Sequence, residues 1–276
     1  MSDEAIIGSV PPPDLHVMTF NLRRRLDRRV WRRDDRWEVR RPALEALLRS
    51  ERPSLLGVQE ARPDQTDAIA ALGYLFAGRR EAADGRGEGC PLFYESERLE
   101  LLDWMQEALS DRPHVGGSTS WGNLIPRIIV SARLRDRATR AEFLVINTHL
   151  DHLSPRSRLR SAEMIRSRVA DQALPAIVMG DLNASEHSRP VRELLRAGVL
   201  RDAWTAASER LTPEWGTFAN YRPAKKHGSR IDWIAVTPAV EVRRAAINAR
   251  RFELRWPSDH LPVQAVLRLP VDPAAS

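Results

Sequence analysis

The sequence predicts an α/β or α+β sandwich built on mixed β-strands, and three observations lead there. Short apolar runs of strand length recur from one end of the chain to the other. Stretches with helical periodicity and recognisable start and stop signals lie between them. The apolar runs also stop abruptly, again and again, at carboxylate, amide or imidazole side chains.

The strand candidates are residues 15–20, 55–58, 143–146, 176–179, 231–236 and 263–267, with weaker ones at 91–94 and 128–132. A first helix carries Val39, Ala43, Leu44, Leu47 and Leu48 on one face, with Pro42 just inside its start and Pro53 beyond its end. Ser154 and Pro155 form an N-cap and first-turn pair, followed by Leu159, Ala162, Ile165 and Val169 at helical spacing. Ser188 and Pro190 open another helix, which carries Leu194 and Leu195 and is closed by Gly198.

With 276 residues, 42% hydrophobic and 29% charged, the chain has enough apolar material for one large globular core. No repeat or composition shift divides it. One domain is expected over residues 15–269, with a loose tail at 1–14, where Pro11, Pro12 and Pro13 act as a spacer, and another at 270–276. No apolar run is long enough for a membrane span, and the N-terminus lacks a signal-peptide pattern. A lone cysteine, Cys90, excludes an intramolecular disulfide and a cysteine zinc cluster. These features together predict a cytoplasmic protein, and nothing implies a protein partner. The formal charge of +6 is carried almost wholly by arginine, with Lys225 and Lys226 the only lysines. Arginine forks suit phosphate, but an arginine-rich solvated surface is an equal reading.

The strand ends carry the chemistry. Residues 17–20 end in Asn21, and residues 55–58 end in Gln59 and Glu60. Residues 143–146 run into Asn147, Thr148, His149, Leu150, Asp151 and His152, and residues 176–179 into Gly180, Asp181, Leu182 and Asn183. Two later segments reverse the order: Arg230 and Asp232 precede an apolar strand, and so do Ser258, Asp259 and His260. If all these groups share one site, the last two strands must run antiparallel to the first four. Singly, each ending reads as a turn or a cap. Together, Glu60, Asp181, Asp232 and Asp259 would repel one another without a cation or a proton. Carboxylate and amide oxygens suit a hard divalent cation such as magnesium or manganese. A phosphodiester repels hydroxide, so a cation and positioned imidazoles would assist its cleavage by water.

Six pieces, Thr19-Phe20-Asn21, Gln59-Glu60, Asn147-Thr148-His149-Leu150, Gly180-Asp181-Leu182-Asn183, Arg230-Ile231-Asp232 and Ser258-Asp259-His260, resemble in order and content the endonuclease/exonuclease/phosphatase (DNase I-like) superfamily. The resemblance implies a four-layer sandwich, two packed mixed β-sheets flanked by helices. It implies Glu60 as the main metal-ligand carboxylate with Asn21 beside it, and Asp259 as a further carboxylate facing or supporting the metal. Asp181 would orient or deprotonate the attacking water, and Asn183 would hold that water or a phosphate oxygen. His149 and His260 would bond phosphate oxygens, and Asp232 would orient His260. The segment from Gly78 through Arg79, Gly85, Gly87 and Glu88 to Tyr94, together with Ser120-Trp121-Gly122, resembles a bacterial subgroup. Tyr94 reads either as a site or as a core residue.

Arg127, between Pro126 and an apolar strand, is a candidate phosphate contact; the alternative is a surface arginine. Arg23, Arg24, Arg25, Arg28, Arg29, Arg32, Arg33, Arg36, Arg40 and Arg41 crowd the segment after Asn21, with Asp27, Asp34, Asp35, Glu38, Trp31 and Trp37 among them. This stretch reads either as a nucleic-acid track or as a salt-bridged loop with inward tryptophans. The functional expectation is a metal-dependent phosphodiesterase acting on DNA or RNA, with a small-molecule or lipid phosphoester as the alternative substrate. His149-Leu150-Asp151-His152 also resembles part of a dinuclear zinc motif of the metallo-β-lactamase type, but Asn147 stands where that motif needs histidine. A non-catalytic binding module would have lost Glu60, Asp181 or His260, and all three are present.

Overall fold

The protein is described from a computed structural model covering residues 4–26, 32–81 and 87–270. Asp27, Arg28, Arg29, Trp31, Gly85 and most of the expected C-terminal tail lie outside the described residues. The first half of the chain forms β1 (Asp14–Asn21), α1 (Trp37–Glu51), β2 (Leu55–Gln59), α2 (Pro63–Ala70), β3 (Leu75–Ala77), β4 (Leu92–Tyr94), β5 (Leu99–Ala108) and β6 (Ile128–Asp136). It continues through β7 (Glu142–His149), α3 (Pro155–Ala170), β8 (Ala176–Asp181), α4 (Arg189–Leu194), β9 (Arg201–Asp202) and α5 (Ala203–Ala206). It ends with β10 (Glu209–Arg210), β11 (Asp232–Val236), β12 (Glu241–Ile247) and β13 (Val263–Arg268).

Alternation along the strands builds four layers. Leu15 and Val17 of β1 point into a core shared with Val145, Ile177, Met179 and Ile234, which lies between the two sheets. Met18 and Phe20, one residue out of phase, join Leu56 and Val58 against Ala43, Leu44, Leu47 and Leu48 of α1. On the far side, Ile146, Val178 and Trp233 pack against Ala162, Ile165 and Val169 of α3. The four-layer sandwich implied by the resemblance is therefore the observed fold. Between the sheets, side chains of the second sheet press onto Gly57, where a Cβ would stand 2.6 Å from the Met179 sulfur and 2.8 Å from Asn147 Oδ1.

One sheet has the order β10-β12-β13-β1-β2-β4-β3, the other β5-β6-β7-β8-β11-β9. β1 runs parallel to β2 and β7 parallel to β8, whereas β13 is antiparallel to β1 and β11 antiparallel to β8. This is the reversal that the order of polar and apolar residues demanded. All eight candidate runs are strands. β5 and β12 escaped the sequence reading because charges interrupt them, as in Leu99–Ala108 with its half-buried faces.

Two expectations need correction. The N-terminal segment, expected to be loose, is docked over its described part: the backbone amides of Ile6, Ile7 and Gly8 all donate to the Glu51 carboxylate at 2.8–3.2 Å. Three donors on one carboxylate repay the entropy of ordering the segment. The first helix starts at Trp37, well before Pro42, because Trp37 and Arg40 are buried beside the expected apolar face.

Candidate active site

The polar strand ends meet at one rim of the sandwich. In the second sheet, His149 of β7 and Asp232 of β11 both stand opposite Asp181 of β8 in register. Directly opposed residues point to the same side of a sheet, so the three form a row. Gly180 makes this arrangement possible: its φ is +147°, and a Cβ there would lie 2.0 Å from the Thr148 carbonyl oxygen. In the first sheet, Asn21 ends β1, Glu60 follows β2 with φ +60°, and Ser258, Asp259 and His260 precede β13. Left-handed backbone at Glu60 costs about 1 kcal/mol and is held by the bonds its side chain makes.

Asn21 joins the two halves. Its Nδ2 donates to Glu60 Oε1 at 3.1 Å and to Asp181 Oδ2 at 3.0 Å. The Arg24 amide donates to the other Glu60 oxygen at 3.0 Å. Ser258 Oγ donates to the Asn21 carbonyl at 2.7 Å, which ties the β13 approach to β1. Around Asp181 Oδ2 stand two imidazoles, His149 Nε2 at 3.6 Å and His260 Nε2 at 3.8 Å. Asn183, in left-handed backbone, donates its amide N–H to Asp181 Oδ1 at 2.8 Å and its Nδ2 to the Leu150 carbonyl. His260 Nδ1 bonds Asp232 Oδ2 at 2.9 Å, and Phe218 leans on the His260 ring edge-on at 5.1 Å. Asp259 Oδ2 faces Arg23 Nε at 3.7 Å. These groups open onto a cleft of about 550 Å³.

The electrostatics divide the two histidines. Burial disfavours the His260 charge, but Asp232 and Asp181 outweigh it and push His260 up to about 10. His149 is held well below the usual imidazole range by burial and by the adjacent Arg127 charge. Burial and the Asp232 charge push Asp181 up to about 7. Burial also raises Asp259, and it raises Glu88 with help from Glu60. Glu60 goes the other way, to about 2: burial opposes ionisation, but imidazole charge, the Arg24 amide and Asn21 overcome it.

The residues fit a divalent cation. Carboxylate oxygens of Glu60 and Glu88 lie within 4.8 Å of one another, and so do those of Asp181 and Asp232. Asp232 Oδ1 is buried with no hydrogen-bond partner. Crowded carboxyls whose proton affinity is raised are stabilised as anions by a cation among them, and oxygen donors select a hard one.

Of the remaining sequence candidates, Arg127, Arg23, Arg24 and Asp35 line the same cleft, whereas Asn147, Tyr94, Arg230, Arg40 and Trp37 do not. Arg127 is 2% exposed and directs its Nη atoms at the His149 and His152 rings, at 3.2 Å each. Asn147 braces the sheets from within, donating to the Val58, Cys90 and Pro91 carbonyls. Tyr94 packs in the central core. Arg230 makes a two-pronged ion pair with Asp202 and stacks on Trp233 at 3.7 Å. In the arginine-rich stretch, Arg23 pairs with Asp35, Arg24 with Glu88 and Arg25 with Asp64. Arg40 is buried and bonds the carbonyls of Leu22, Pro257, Arg23 and Arg24. Trp37 is buried in the α1 layer. His152, Glu88, Phe218 and Tyr221 line the cleft without having been singled out as site residues. Two of them carried a signal: His152, three residues after His149 in the same polar run, and Glu88, in the segment that resembles the bacterial subgroup.

Oxygen and imidazole donors gathered on the joined rims of two packed sheets define a phosphoric ester hydrolase. The chain belongs to the Endonuclease/Exonuclease/phosphatase family, whose sequence model matches residues 18–260. A mannosyl-6-phosphatase of Bacteroides thetaiotaomicron is similar at 29% identity, with a TM-score of 0.86 over 92% of this chain and 99% of that one. An endonuclease/exonuclease/phosphatase from Bacteroides vulgatus matches at 29% identity and a TM-score of 0.86, over 93% and 99% of the two chains. The D. rerio TDP2 complexed with single-strand DNA product shares the fold, at 17% identity and a TM-score of 0.70 over 92% and 99%. A comparison of the sequence with curated proteins gives no match. Among the described residues, no helix is long and apolar enough to cross a membrane.

Proposed function

We propose that the chain hydrolyses a compact phosphate ester, with magnesium or manganese held by Glu60 and with Asn21 and Asp259 beside it. One observation carries the reading: Asn21 bridges Glu60 and Asp181, and the same Asp181 oxygen faces both imidazoles. When bound, the cation supplies charge neutralisation at the phosphoryl group. Asp181, whose proton affinity burial and the Asp232 charge raise, takes the proton from the attacking water. Asn183 positions that water or a phosphate oxygen. His260, charged through Asp232, and His149, neutral, donate from Nε2 to oxygens of the phosphoryl group.

The compact substrate is favoured by the state of the neighbouring arginines. Arg23 and Arg24, which line the cleft, are paired there with Asp35 and Glu88, Arg25 is paired with Asp64, and Arg40 is buried on backbone carbonyls. The 29%-identical relative described as a mannosyl-6-phosphatase agrees with this. A DNA or RNA phosphodiester is the second reading. It is favoured by the net charge of +6 and by Arg32, which reaches Asn220 on the cleft wall at 2.5 Å.

The test is hydrolysis of sugar phosphates, p-nitrophenyl phosphate, bis-p-nitrophenyl phosphate and DNA and RNA oligonucleotides, with magnesium, manganese or excess chelator. Monoester turnover that chelator abolishes is expected. Turnover confined to oligonucleotides, with steep salt dependence, would favour the second reading. Full turnover in chelator would overturn both.

A further inference from the structure

We infer that His152 is a further substrate-binding residue of this site, and that Arg127 is the positioning residue that fixes its donor, and that of His149, toward the cleft. The inference rests on the proposed phosphoesterase reading and adds to it a contact outside the Asp181 row.

What each ring can donate depends on which nitrogen carries its proton. A guanidinium has only N–H donors and does not deprotonate in proteins. Arg127 Nη1 lies 3.2 Å from His149 Nδ1, and Arg127 Nη2 lies 3.2 Å from His152 Nδ1. In each pair the arginine must donate, so each Nδ1 must present its lone pair. A ring that accepts at Nδ1 carries its hydrogen on Nε2. His149 Nε2 points at Asp181, 3.6 Å away. His152 is exposed and lines the same cleft as His149, Asp181 and His260, so its Nε2–H is a donor available there.

Arg127 is built to hold this arrangement. It is 2% exposed, with Asp151 Oδ2 at 3.7 Å from Nε and Glu81 Oε1 at 3.8 Å from Nη1 balancing its charge. Asp151 is itself fixed, since Oδ1 accepts from the Leu153 and Ser154 amides in the turn that carries His152 into α3. One guanidinium thus aligns two rings with two terminal nitrogens, which lysine, with its single ammonium, does not reproduce. The group that meets His152 is an acceptor oxygen of the substrate, either on the phosphoryl group or on the alcohol it esterifies.

The experiment compares His152→Ala, His152→Asn, His152→Gln and Arg127→Lys with the wild type in magnesium. Glutamine places an amide nitrogen where Nε2 stands and asparagine does not. Expected is a KM for the best ester about tenfold higher in His152→Ala and His152→Asn, with a smaller change in kcat and most of the loss recovered in His152→Gln. A matching rise in the inhibition constant of inorganic phosphate places the contact on the phosphoryl group; an unchanged one places it on the alcohol. Arg127→Lys, with its fold checked by near-UV circular dichroism, should lower kcat and raise KM together. Long-range proton–nitrogen correlation on histidine-labelled protein reads the rings without any turnover. It should show both His149 and His152 as Nε2–H tautomers in the wild type and mixed tautomers in Arg127→Lys. Nδ1–H at His152 in the wild type, or unchanged KM and phosphate inhibition in His152→Ala, would overturn the inference. If the wild type hydrolyses no phosphoester, the tautomer spectra and phosphate titration still decide it.

Discussion

His260 and His149 both face one Asp181 oxygen, at 3.8 and 3.6 Å, yet their surroundings set them apart. On the His260 side, Asp232 bonds Nδ1 at 2.9 Å and the ring is held charged. On the His149 side, Arg127 takes the corresponding Nδ1 at 3.2 Å and the ring is held neutral. The difference teaches that an imidazole's charge at an active site is set by the group behind it, here a carboxylate against a guanidinium.

The largest way to break the comparison is to remove the group both rings face. Asp181→Ala should lower kcat about a thousandfold while the protein stays folded, read by turnover and circular dichroism. The next is Asp232→Asn, which should lower kcat about a hundredfold. The His260 pKa is about 10 in the folded chain and about 6.5 in the unfolded one, so its charge contributes stability that is complete below about 6.5. That contribution is lost as pH rises through about 10. Denaturant melts in chelator should therefore show wild type and Asp232→Asn converging as pH climbs from 6 to 10. A constant gap would mean that Asp232 does not charge His260.

A third histidine, at the other end of the first sheet, sharpens the contrast without touching the chemistry. His16 is fully buried and held below its usual pKa by burial, although Glu51 pulls it upward. Its Nδ1 meets the Gly8 carbonyl oxygen and its Nε2 the Gln264 side-chain oxygen, at 2.8 Å each; both contacts raise the ring's pKa, but burial lowers it more. The unfolded chain binds a proton below about 6.5 that the folded ring resists, so stability should fall on acidification. His16→Gln should flatten that slope. Smallest in its effect on turnover, Glu51→Gln should leave activity at 25 °C unchanged but cost about 1–3 kcal/mol of stability, because its amide cannot accept from all of Ile6, Ile7, Gly8 and Asn248. A loss of turnover in that variant would show that the two ends of the sandwich are coupled.

The parts of this design that were legible in the sequence are those written in local order. Apolar runs stopping at Asn21, Glu60, His149 and Asp181, and starting after Asp232 and His260, were enough to orient the strands. The fates of the arginines were not legible. Arg127, Arg40 and Arg24 are the same residue type in similar polar company. One is buried beneath two imidazoles, one braces backbone carbonyls, and one bridges to Glu88 at the cleft. What separates them is which strand or loop arrives opposite, and that is decided only when distant segments pack. The N-terminal segment shows the same thing: nothing between Met1 and Asp14 announces that Glu51 will gather its amides. Phe218 and Tyr221 escaped for the same reason, since they reach the cleft from a long connection rather than from a strand end.

The proposed site residues are divided between two sheets that share no ladder. Asn21, Glu60, Asp259 and His260 ride on one, and His149, Asp181 and Asp232 on the other. Neither half holds a usable set by itself, so turnover is a gauge of whether the layers are seated on each other. Any loosening that slides one across the other by the width of a side chain would silence the enzyme while leaving its helices and strands intact.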